Sequence, residues 1–118
     1  MSVCFTVEFD GYIDNVPYVI QEFDKSLTVY LEFDSFKSMR GLTPLQKLLY
    51  LVINEFSHEV DPKDPCDYRI YARIEAEEIA DAIDESIYDV RISISELEEM
   101  KRISIVKDEN GKSLYLAL

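Results

Sequence analysis

The chain has 118 residues, 47% of them hydrophobic, which is enough for one domain whose core needs no staples. Twenty-four Asp and Glu stand against 12 Lys and Arg, a formal net charge of -12, and such a field repels phosphate backbones and anionic membranes while attracting basic partners. Two cysteines exclude a disulfide framework, no run approaches the roughly 18 apolar residues of a membrane span, and the Met1-Ser2-Val3-Cys4 start carries no basic leader, so a cytoplasmic location is expected.

Residues 3–9, 18–23 and 26–33 are short, β-branched and aromatic, separated by Asp10-Gly11, Asn15-Val16-Pro17 and Asp24-Lys25. They predict three antiparallel strands joined by turns. The tripeptide Glu-Phe-Asp recurs at 8–10, 22–24 and 32–34, each time at a predicted strand end. There Glu and Asp share one face and Phe takes the other. An up-down-up meander would leave the first and third copies about 9–10 Å apart, two strand spacings, and the second at the opposite end. That separation does not make a calcium cage, so the expectation is Phe inward and carboxylates outward, with no metal.

The period changes at Leu42-Thr43-Pro44-Leu45-Gln46. Thr43 as N-cap, Pro44 at the first helical position and Gln46 completing a capping box predict a helix running to about His58. Residues 48–53 (LLYLVI) are apolar on every side, which predicts a helix sandwiched between the N-terminal sheet and the following helices. Residues 61–67 read as a loop, and 68–74 alternate as a strand with Arg69 and Arg73 on one face. A helix over 75–85 buries Ala76, Ile79, Ala80 and Ile83, and a third over 88–101 turns Val90, Ile94 and Leu97 inward. Segments 103–107 and 113–118 flank Asn110-Gly111, a hairpin signal.

The stretches LTPLQKLLYLVINEF, EEIADAI and ISISELEEMKRISIV, in this order, resemble the winged helix-turn-helix domain of many phage and plasmid replication proteins and small regulators. The resemblance covers 42–118. It implies a winged helix-turn-helix (41–118); with the N-terminal three-stranded antiparallel β-sheet (1–40), which the resemblance does not reach, packed on it, the expected fold is α+β. It also implies DNA binding, with the third helix in the major groove and the hairpin on the backbone.

The charges point elsewhere. Residues 75–118 carry 12 acids and 5 bases, and the 75–85 helix has no base at all. Each carboxylate aimed at a phosphate adds repulsion and removes a counterion-releasing contact. The outward face of the third helix is expected to be Tyr88, Ile92, Ser95, Glu96 and Glu99, two apolar anchors in an acidic rim. With Glu75, Glu78, Asp81 and Glu85 it forms the candidate partner-binding surface. Carboxylates two residues apart on a strand lie about 6.6 Å apart, comparable with phosphates along one DNA strand. The expectation is a non-enzymatic inhibitor or regulator of the kind phages and mobile elements encode, resident in the host cytoplasm, that competes with nucleic acid for a basic protein. A second copy of the chain is the other candidate partner. In the alternative reading the protein is a DNA-binding regulator of replication or transcription, touching phosphates through Arg69, Arg73, Arg91, Lys107 and Lys112. His58 and Cys66 are the one Cys–His combination at short spacing, and no orienting third group or oxyanion site accompanies them. No cofactor is expected.

Overall fold

In the computed structural model, which describes residues 8–24, 26, 33–59 and 68–118, the first regular element is a hairpin. Strands β1 (Gly11–Ile13) and β2 (Val16–Glu22) pair antiparallel with Ile13 opposite Val16, leaving Asp14 and Asn15 as a two-residue turn. Both turn residues have positive φ, 52° and 66°, which a type I′ turn requires and which Asp and Asn tolerate best after glycine. Pro17 is accommodated inside β2 because the partner on its other side begins only at Tyr18.

That partner is β4 (Arg69–Arg73), and the pairing is parallel, from Tyr18↔Arg69 to Glu22↔Arg73. Between the two strands come α1 (Phe33–Ser38), α2 (Pro44–Phe56) and the short β3 (His58–Glu59). Helix α2 starts as its sequence dictates: Gln46 N–H donates to Thr43 Oγ1, and Thr43 N–H to Gln46 Oε1. Leu49, Val52, Ile53 and Phe56 are buried. One side of α2 packs on α4 (Ile87–Glu99) and the other on the sheet, against β4 and β6 (Ser113–Ala117). After β4 the chain runs through α3 (Ala76–Ile83), α4, β5 (Ile103–Lys107) and β6. The sheet order is β1-β2-β4-β6-β5, with β3 beside the start of β4.

The architecture is α+β, with the main core between the helices and one sheet face. Ala72, Ile74 and Tyr115 belong to this core, while their neighbours Tyr71, Leu114 and Leu116 join Tyr18 in a second cluster on the opposite face. Tyr18 and Tyr71 meet edge to face there, with ring centroids 5.6 Å apart. Among the described residues, no helix is long and apolar enough to cross a membrane.

The expected three-stranded N-terminal sheet does not form among the described residues. Residues 3–7 and 27–32 lie outside them, and Phe33 and Asp34 open helix α1 instead of ending a strand. The N-terminal hairpin is a continuation of the main sheet, because β4 offered β2 an open edge and a buried face. Alternation in the sequence records that a strand has a buried side but not which strand lies next to it. Helix α2 is sandwiched as expected, but by β4 and β6; the N-terminal hairpin reaches its end through Phe23, whose ring stacks edge to face on Phe56 at 5.4 Å. The helix also stops two residues before His58. Ser57 Oγ donates to Ile53 O at 2.7 Å and accepts from Ala117 N–H at 3.0 Å, which ends the helix and pins it to β6.

Candidate functional site

Helix α4 is positioned by a seam of buried side chains, Val90, Ser93, Ile94 and Leu97, and by Ser86, whose hydroxyl accepts from Asp89 N–H. Advancing 100° per residue from that seam leaves Tyr88 and Ile92 facing solvent, 69% and 41% exposed. Glu96 and Glu99 continue the same line, also exposed. A large aromatic and an aliphatic side chain, bordered by carboxylates, thus stand on the helix face that is exposed among the described residues. Arg91 is the one basic residue of α4, and its Nη2 is paired with Glu77 of α3.

On its other flank α4 borders a groove of about 670 Å³ closed by the β5–β6 hairpin and the start of α3. Its floor is apolar: Ile74, Ile94, Ile105 and the Tyr115 ring. Glu75, Glu77 and Glu98 line the helical wall, and Lys107 and Lys112 the hairpin wall. Cross-strand pairing explains the second wall, because Lys107 stands opposite Ser113 and donates to its hydroxyl at 2.7 Å, next to the Ile105–Tyr115 pair. Burial pushes the Tyr115 phenol above its ordinary value, Ser113 opposes the shift by hydrogen bonding, and Glu75, Glu77 and Glu98 add to it. All three carboxylates line the groove with Tyr115.

No family model, curated protein or solved structure matches this chain. The site therefore rests on its own geometry.

The expected contact residues fall in separate places. Tyr88, Ile92, Glu96 and Glu99 share the open face of α4, while Ser95, Glu75, Arg91, Lys107 and Lys112 line the groove. Glu78 and Asp81 border a different crevice, with Glu77, Phe23 and Asp24. Glu85 lies just beyond α3, its N–H bonded to Ala80 O. Arg69 is half-buried at the start of β4.

Arg73 is drawn inward as a structural clasp. Its Nη1 bonds Glu22 Oε1 of β2 at 3.1 Å and its Nη2 bonds Asp108 Oδ2 of the hairpin turn at 2.8 Å, tying two distant parts of the sheet together. Asp108 also accepts the N–H groups of Lys112 and Asn110. These amide bonds, the one from Lys112 first, and the guanidinium hold its carboxyl below the usual range. Asp10 Oδ2 accepts from Ile20 N–H nearby. Asp10 and Glu22, from the first two Glu-Phe-Asp copies, thus each secure a strand, with their Phe rings half-buried beside Tyr68 and Phe56.

Glu77, Glu98, Ile105, Ser113 and Tyr115 were not among the expected site residues. Alternation in the hairpin carried a signal for Ile105, Ser113 and Tyr115, but which helix flank meets which strand face depends on tertiary packing.

Proposed function

We propose that this chain is a winged helix-turn-helix protein that acts through protein contacts, competing with nucleic acid for a basic target. The order α2-β3-β4-α3-α4-β5-β6, with β6 antiparallel to both β4 and β5, supports the winged-helix reading. The observation that carries the function is the open face of α4. A DNA-reading helix presents cations and amides to the groove and the phosphates. This one presents Tyr88 and Ile92 between carboxylates, and its single cation is held by Glu77. An apolar anchor in a charged rim suits a protein partner, and the sign of the rim selects a basic one. The carboxylates of α3 extend the acidic surface. Such a protein fits an inhibitor or regulator of the kind phages and mobile elements encode, working in the cytoplasm without catalysis.

Two measurements test this. In a gel shift with random-sequence duplex at low salt, no complex is expected; tight, salt-sensitive binding would overturn the reading in favour of a DNA-binding regulator that uses Lys107 and Lys112. Proteins captured from a nuclease-treated lysate are expected to be released by added duplex. Ile92→Arg is expected to abolish capture while moving the melting temperature by only a few degrees, because the side chain lies at the surface. Capture that neither DNA nor Ile92→Arg disturbs would retire the competition and the α4 site alike.

A further inference from the structure

The tip of the β5–β6 hairpin carries chemistry of its own. Residues 109–111 join Asp108, whose N–H donates to Lys112 O, to the returning strand, and all three are exposed. Of the three asparagines in the chain, Asn110 alone precedes a glycine. Its backbone N–H is held by Asp108 Oδ1, but its side-chain amide has no hydrogen-bond partner among the described residues. Gly111 stands at φ 78°, and a Cβ built there would meet nothing within 4 Å. An unhindered peptide nitrogen thus follows an untethered carboxamide.

We infer that Asn110 is a site of spontaneous deamidation. The Gly111 nitrogen, as it loses its proton, attacks Asn110 Cγ. The new N–C bond closes a succinimide ring, and the bond from Cγ to the side-chain nitrogen breaks, releasing ammonia. Water then opens the ring at either carbonyl, giving aspartate or, with the chain running through the side-chain carbon, isoaspartate. Nothing is oxidised or reduced, and water is the one co-reactant. The turn sets the rate. Gly111 N–H donates to Asp108 O at 3.0 Å, so the nitrogen is free to attack only while the turn is open.

Asp10-Gly11 could close the same ring by losing water, and there the structure stands in the way. Asp10 Oδ2 is tied to Ile20 N–H at 2.7 Å, and Gly11 backs onto Tyr18, whose hydroxyl and ring carbons lie 2.9–3.1 Å from where a Cβ would sit. Asn15 and Asn54 precede valine and glutamate, whose side chains crowd the attacking nitrogen. The reaction is therefore confined to one turn. Its product reaches further. Isoaspartate adds an atom to the backbone between the N–H groups of Asn110 and Lys112, which Asp108 Oδ1 accepts at 2.8 and 2.9 Å, and is expected to break one of these bonds. Asp108 is also what Arg73 grips from β4, and Gly111 and Lys112 line the α4 groove. The inference rests on the turn and is independent of what α4 binds.

Folded protein kept in mildly alkaline buffer should gain the mass that separates a hydroxyl from an amino group, with isoaspartate among the products. Peptide mapping by mass spectrometry should place the gain at Asn110 and leave Asn15, Asn54 and Asp10 unchanged. Asn110→Gln should remove it, because the longer side chain closes a ring far more slowly. Asp108→Ala should raise the rate several-fold by releasing the Asn110 and Lys112 amides, with circular dichroism as the check that it folds. Should it unfold, native wild type compared with the urea-unfolded chain replaces it, and the native form should react several-fold more slowly. In the isoaspartate form the Lys112 amide resonance should move. A wild type that stays unchanged, a gain at Asn15 or Asn54, or isoaspartate forming at Asp10 as fast as at Asn110 would each overturn the proposal. So would a rate that neither Asp108→Ala nor unfolding raises, or a Lys112 resonance that stays in place.

Discussion

Ser57 shows how much one side chain can carry. Its hydroxyl satisfies a carbonyl at the end of α2 and an amide of β6 at once, and the residue is buried. Replacing it with alanine strands both groups, and roughly 1–3 kcal/mol should be lost, measured by urea unfolding. A loss below about 0.5 kcal/mol would mean that water replaces the hydroxyl. Asp108 gives a pH signature. Its carboxyl is lowered from the ordinary 3.8, so its contribution is fully present above that value and is lost as pH falls through the lower folded-state value. In an acid titration the amide shifts of Asn110 and Lys112 should move below pH 3.8, and Asp108→Asn should erase the transition. Movement at or above 3.8 would contradict the hydrogen bonding described. At this scale the sequence was legible where a residue's role is local. Thr43 and Gln46 form their box because both partners lie within one turn, and Tyr88 and Ile92 stand outward because helical spacing alone decides it. Arg73 was not legible as a clasp, since its carboxylates come from positions 22 and 108.

Helices α3 and α4 end without glycine. Asp84 closes α3 at φ 56° and Lys101 follows α4 at φ 59°, both left-handed and both exposed. A glycine removes the Cβ clash of that conformation, so Asp84→Gly should stabilise the fold by roughly 0.5–1 kcal/mol in a urea melt. Destabilisation would mean that the Asp84 side chain has a role that its backbone does not reveal. The two hairpins teach a related lesson about turns. Asn110-Gly111 marked the second one correctly, yet the connection is three residues long, with Gly111 at φ 78° and Asp108 capping it. The first turn lies at Asp14-Asn15, two residues with no glycine, and Pro17 drew the expected boundary too late. A proline marks a missing N–H, and a missing N–H costs nothing where no neighbouring strand asks for it.

For the whole molecule, the parallel join of β2 to β4 decides how the parts depend on one another. A 42–118 fragment would leave the β4 edge unpaired and the Phe56 ring without Phe23. It should melt well below the full chain or aggregate. An unchanged melting temperature in a monodisperse fragment would show that the N-terminal hairpin is dispensable. The α+β class could be read from period changes along the chain, and so could the acidic face. The strand order could not, because β2 and β4 are separated by two helices and nothing in either strand names the other. The groove was illegible for the same reason: its walls come from the link after β4, from α3, from α4 and from the hairpin.

The β2–β4 pairing also orders events in time. Tyr18 and Arg69 sit roughly 50 positions apart, a non-local closure of the kind that slows folding. On a ribosome adding about 5–20 residues per second, β2 emerges seconds before the strand that will cover its edge. Throughout that interval β2 has only β1 beside it, and its other edge is open. The nascent chain is therefore most exposed to aggregation in the part that, once folded, is held on both sides.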